Sequence, residues 1–108
     1  MSAAIEVGES ENGTRVEVRV EQTFTVTLSE VPTAGFRWHL RTAPVAVCSL
    51  VNDGVLRAAT DRAGGSALHR WQFRAEKAGE APMFFDYMRA WEDAARPLRT
   101  FSLSIHVT

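Results

Sequence analysis

Apolar and polar residues alternate with period two along almost the whole chain, and this restricts the fold more than any other feature of the sequence. Val16, Val18 and Val20 alternate with Arg15, Glu17 and Arg19. Beyond Glu21-Gln22 the pattern resumes, with Phe24, Val26 and Leu28 against Thr23, Thr25 and Thr27. Phe36, Trp38 and Leu40 then oppose Arg37, His39 and Arg41, and Trp71, Phe73 and Ala75 oppose Arg70, Gln72 and Arg74. Met83, Phe85 and Tyr87 form a further inward set, and Phe101, Leu103, Ile105 and Val107 close the chain against Thr100, Ser102, Ser104 and His106. In a strand successive side chains point to opposite faces, so each run describes a half-buried strand. A weaker strand is read near Val45 to Val51, followed by a turn at Asn52-Asp53-Gly54 and a strand from Val55 to Ala59. Lys77-Ala78-Gly79-Glu80 reads as another turn, and only Ala90 to Ala95 hints at a helical turn, too short to stand alone. About seven or eight short strands separated by turn signals predict an all-β sandwich or barrel. Trp38, Trp71, Phe73, Phe85 and Tyr87 fall in phase with the apolar faces and are expected in its core.

A chain of 108 residues has room for one such domain, spanning 1–108, and an apolar share of 45% is enough to fill one core. Twelve basic against thirteen acidic residues give a formal charge of −1, without the basic excess that nucleic acid or an anionic membrane requires. The row Arg37, His39, Arg41 reads as a solvated strand face. No apolar run approaches the ~20 residues that span a bilayer. Met1-Ser2-Ala3-Ala4-Ile5-Glu6 has neither a basic nor a hydrophobic leader region, so a cytoplasmic protein is expected, or a secreted one if a leader has been removed.

Candidate catalytic groups do not assemble. Cys48 is the single cysteine and lies in an apolar run, where a thiol packs as a small hydrophobe. A reactive thiolate needs a cation or a helix N-terminus beside it. His39, His69 and His106 stand apart from one another and from Cys48, without metal-ligand spacing. His39 and His106 fall on polar faces, and His69 is in phase with Trp71, at the rim of the core. Glu92 and Asp93 are neighbours on a loop, which reads as solvated acid rather than a tuned pair. Gly64-Gly65 belongs to no phosphate-binding frame and is by itself a turn. No enzyme, metal or cofactor is expected.

Three segments without strand pattern carry the distinctive chemistry. Val31-Pro32-Thr33-Ala34-Gly35-Phe36-Arg37-Trp38 combines a proline that fixes one φ with a glycine that permits a positive one, a stiff turn with Thr33 and Ala34 at its tip. This segment resembles the first binding loop of the chagasin family of cysteine peptidase inhibitors, Asn-Pro-Thr-Thr-Gly-(Tyr/Phe)-x-Trp. Arg62-Ala63-Gly64-Gly65 resembles the family's Gly-x-Gly-Gly loop, and Tyr87-Met88-Arg89-Ala90-Trp91 its Tyr-x-Arg-Pro-Trp loop. The three follow in family order at family spacing, and Glu11-Asn12-Gly13 with the two strands before Pro32 matches the lead-in.

The resemblance implies an all-β, immunoglobulin-like β-sandwich of about seven or eight strands. It also implies a reversible, competitive inhibitor of papain-like cysteine peptidases, monomeric when free, whose three loops form a wedge at one end of the sandwich. Pro32, Thr33, Ala34, Gly35 and Phe36 would lie over the target's catalytic Cys/His pair. Gly64 and Gly65 would run along its substrate channel, and Arg89, Ala90 and Trp91 would pack on the far side. Trp91 is therefore expected to be exposed. Four positions depart from the family pattern. Val31 stands for an Asn that can bond the turn backbone, Ala34 for the second Thr, Arg62 for the first Gly, and Ala90 for the Pro. These departures keep a second reading open, a non-inhibitory module that binds another protein through the same loops.

Overall fold

In a computed structural model, which describes residues 5–30, 35–57, 67–89 and 97–108, the alternating runs form eight strands in two four-stranded sheets. The first sheet has the order β1 (Ile5–Val7), β3 (Thr23–Glu30), β6 (Ala67–Ala75), β5 (Cys48–Arg57). The second has the order β2 (Thr14–Val18), β8 (Arg99–Val107), β7 (Gly79–Arg89), β4 (Phe36–Thr42). β1 runs parallel to β3 and β2 parallel to β8, while the other neighbours are antiparallel. Of the sandwich and the barrel that the period-two pattern allowed, the structure is the sandwich, as the resemblance implied.

The register decides what each face buries. Phe24 lies opposite Phe73 and Val26 opposite Trp71 in the first sheet, and Phe85 lies opposite Phe101 in the second. Phe24, Val26, Leu28, Met83, Phe85 and Ile105 are fully enclosed, and Trp38, Trp71, Phe73 and Tyr87 are buried with them. The five aromatics expected inside are therefore all in the core. Trp71 bridges the sheets, its ring 4.8 Å from that of Phe85, which meets Phe101 edge-on at 5.8 Å. Tilted and edge-on pairs set the positive rim of one ring against the negative face of another, adding to area burial.

Three local readings change. β2 stops at Val18, and Val20 lies in a turn with 41% of its surface exposed. There Glu21 takes a positive φ of 75°, while Gln22 bonds back to Arg19 through both its N–H and its side chain. The strand expected from Val45 begins only at Cys48, because the amides of Val47 and Cys48 both donate to the Pro44 carbonyl in a tight turn. Asn52-Asp53-Gly54, expected to turn, runs straight through β5. A register shift between Leu50 and Asn52 absorbs one residue, and Asn52, Asp53 and Gly54 then pair with Gln72, Trp71 and Arg70. Nine residues of antiparallel partner offer a continuous ladder, which outweighs the local turn preference of an Asn-Asp-Gly sequence on an edge strand. Residues 58 and 59 of the second strand expected there lie outside the described residues, as do 90–95.

Cys48 is buried at the start of β5, opposite Ala75, and its thiol is free. Burial, with the Glu76 charge adding to it, pushes the thiol up to about 11.

Candidate functional site

Each of the three distinctive segments connects two strands, and the register shows where those strands end. In the first sheet Glu30, the last residue of β3, pairs with Ala67, the first of β6, and Ala67 pairs with Arg57, the last of β5. In the second sheet Phe36, the first residue of β4, pairs with Arg89, the last of β7, and Tyr87 pairs with Arg99, the first of β8. Trp38 joins the two sheets at this end. Its backbone N–H donates to Glu30 Oε2 at 3.0 Å and its indole Nε1–H to the Ser29 carbonyl at 2.9 Å. All three connections therefore leave and return at one end of the sandwich. Pro32, Thr33, Ala34, Gly64, Gly65, Ala90 and Trp91 lie outside the described residues, and with them the expected exposure of Trp91.

Three residues singled out from the sequence are described. Gly35 has φ 83°, the left-handed conformation for which glycine was read there. Phe36 is half-buried and stacks on Tyr87, with ring centroids 5.4 Å apart and planes 24° from parallel. Arg89 places its guanidinium 4.5 Å from the centre of the Phe36 ring. The structure thus brings together Phe36 and Arg89, which come from different segments of the sequence. A cation over a ring face at this distance contributes about 0.5–1 kcal/mol where exposed, and more where water is excluded. Arg99 repeats the arrangement one strand further on, 5.6 Å from the Trp38 ring and 6.0 Å from that of Tyr87. It also pairs with Glu9 at 3.4 Å, whose other oxygen accepts from the Ser29 hydroxyl at 2.8 Å.

Sequence reasoning missed Arg99 and the environment of His69. The His69 ring lies flat on Trp71, 3.8 Å between centroids, with Nδ1 3.4 Å from Glu30 Oε2 and Nε2 2.5 Å from Asp53 Oδ1. Placement at the rim of the core was foreseen, the two carboxylates were not. One signal was present: Glu30 continues the inward period of Phe24, Val26 and Leu28, where a charged residue is out of character. Arg37, His39 and Arg41 of the polar row on β4 are all exposed as expected, and Arg41 also reaches the buried carboxylate of Asp86 at 2.8 Å.

Comparison with known proteins agrees with this architecture. The cysteine protease inhibitor EhICP2 of Entamoeba histolytica superposes with a TM-score of 0.88 at 20% identity, over 97% of this chain and 96% of that one. Amebosin superposes with a TM-score of 0.72 at 21% identity, over 99% of this chain and 100% of its own. PbICP-C, solved in complex with falcipain-2, gives 0.63 at 14% identity, over 99% and 98%. At these identities the likeness establishes the fold. No curated protein matches the sequence. The family model for the chagasin family peptidase inhibitor I42 does match, over residues 17–105, a stretch that runs from β2 to β8 and takes in all three segments. The chain therefore belongs to the chagasin family of peptidase inhibitors, whose members inhibit peptidases and are not themselves enzymes.

Proposed function

We propose that the protein is a reversible, competitive inhibitor of papain-like cysteine peptidases, acting as a three-loop wedge at the end of the sandwich where the loop stems meet. The observation that carries this reading is the shared end of those stems. Glu30, Phe36, Arg57, Ala67, Arg89 and Arg99 bracket three segments that resemble the family's three binding loops. PbICP-C, which shares the fold, has been solved in complex with falcipain-2, and that supports a peptidase as the partner. In this reading the loop of Pro32, Thr33, Ala34, Gly35 and Phe36 covers the target's catalytic Cys/His pair. Gly64 and Gly65, lacking side chains, let backbone groups pair in the substrate channel as a peptide does. Arg89, Ala90 and Trp91 close the far side. Inhibition then needs no covalent chemistry, because the wedge presents no peptide bond in register for attack.

Titration of papain with the purified protein tests the proposal. Activity is expected to fall with increasing protein, to return on dilution, and to be protected by excess substrate. The departures at Val31, Ala34 and Ala90 favour the second reading, a binding module for some other protein. Full papain activity at saturating protein, repeated on other papain-like peptidases, would overturn the inhibitor and leave the binding module as the better reading.

A further inference from the structure

Beneath the loop end lies a line of polar groups with no part in the wedge as described. Glu30 is only 1% exposed, on the inward face of β3. Its Oε2 accepts the Trp38 N–H and lies beside His69 Nδ1, while its Oε1 is buried with no hydrogen-bond partner among the described residues. A buried carboxylate with an unsatisfied oxygen carries a desolvation cost that an apolar side chain of similar size avoids. Stability alone therefore does not account for Glu30. His69 is held from both sides. The stack on Trp71 fixes the ring plane, and Asp53 Oδ1 meets Nε2. Each ring nitrogen thus faces a carboxylate oxygen, and an imidazole N–H has an acceptor at either edge.

The line runs Asp53 on β5, His69 on β6, Glu30 on β3, and the main-chain amide of Trp38 on β4. β5 and β6 are the stems of the Gly64-Gly65 segment, and β3 and β4 those of the Pro32–Gly35 segment. Backbone ladders fix β3, β5 and β6 relative to one another, but β4 belongs to the other sheet. Among the described residues, the Glu30 side chain accepts the β4 main-chain N–H of Trp38, beside the indole N–H that Trp38 donates to the Ser29 carbonyl, and His69 lies against that carboxylate. We infer that Asp53, His69 and Glu30 form a positioning brace, which sets the stem of the first loop against that of the second and so controls inhibition without touching the peptidase. The inference rests on the proposed inhibitory function, and it adds residues outside all three loops.

Its test separates the brace from the function. Asp53 is half-exposed on an edge strand and lies two residues of the relay away from β4, so Asp53→Asn should fold normally. In the free protein this substitution is expected to move the backbone amide resonances of Trp38 and Gly35. In a His69→Phe background, where the stack on Trp71 is kept and both ring nitrogens are lost, it should leave them still. Against papain, His69→Phe and Asp53→Asn should each weaken inhibition about three- to tenfold, with no further loss in the double variant, the non-additivity expected of residues acting in one line. His69→Gln, which keeps a donor and an acceptor, should recover part of the loss. Unmoved Trp38 and Gly35 amides, or additive losses in the double variant, would overturn the brace. Failure of the parent to inhibit would overturn the functional reading and with it the brace's control of inhibition, whereas the amide measurement, which needs no peptidase, tests the coupling of Asp53 to Trp38 by itself.

Discussion

At Cys48 the surroundings act against reactivity. The thiol is buried, and a value of about 11 leaves roughly one part in a thousand as thiolate at pH 8. A thiol reagent at pH 8 is therefore expected to leave the native protein unlabelled over minutes and to label the urea-unfolded chain rapidly. Fast native labelling would show that β5 opens at this end. Gly79 is a second residue whose role is set by its neighbours. Its φ is 146°, and a Cβ placed there would stand 2.9 Å from Val47 Cγ1. Val47 is itself buried and accepts the amides of Glu76 and Lys77 with its carbonyl, so it has little room to yield. Gly79→Ala is expected to destabilise the fold by about 1–3 kcal/mol, through strain in the turn and overpacking of Val47. Equilibrium unfolding in urea measures it, and an unchanged midpoint would contradict the close approach.

Among the elements, the loops and β5 respond to opposite influences. At the third loop, Ala90→Pro should narrow the unbound ensemble with little change in contact surface, lowering the papain inhibition constant a few-fold, about 0.4–1 kcal/mol. The gain requires φ near −65° at residue 90 and an amide with no essential partner. Trp91→Ala should weaken inhibition by about 2 kcal/mol or more, as a large rigid anchor of an interface does when truncated. Steady-state inhibition reads both, with thermal melts confirming the fold, and an unaffected Trp91→Ala would remove the third loop from the wedge. In β5 the sequence reading failed for a physical reason. Asn52-Asp53-Gly54 has turn chemistry, but turn propensity is local, whereas the pairing with Gln72, Trp71 and Arg70 comes from residues about twenty positions away in sequence. Asp53 gains a partner from this straight course, since it brings the carboxylate to His69.

For the molecule as a whole, the two sheets share one core centred on aromatic contacts between Trp71, Phe85 and Phe101. Phe85 is completely enclosed, so Phe85→Ala leaves a cavity as well as losing transfer energy, at a cost of about 3–5 kcal/mol. Set against the ~5–15 kcal/mol typical of a domain, this should lower the urea midpoint steeply without changing the slope of the transition. Its single cysteine allows no internal disulfide to share that load. A small effect would mean that the two sheets are held together elsewhere.

What the sequence determined alone is what depends on near neighbours in the chain. Period two placed Phe24, Val26, Leu28, Trp71, Phe73 and Phe85 on inward faces, because side-chain alternation is a property of a single strand. The positive φ of Gly35 was legible for the same reason, since it belongs to one residue in a short turn. Only the tertiary structure decided what depends on pairing. It ended β2 at Val18, carried β5 through Asn52-Asp53-Gly54, and set Phe36 beside Arg89 across a ladder. It also gave His69 its two carboxylates. Glu30, Asp53 and His69 lie on three strands, and no period within one strand reports which side chains of its neighbours will meet it.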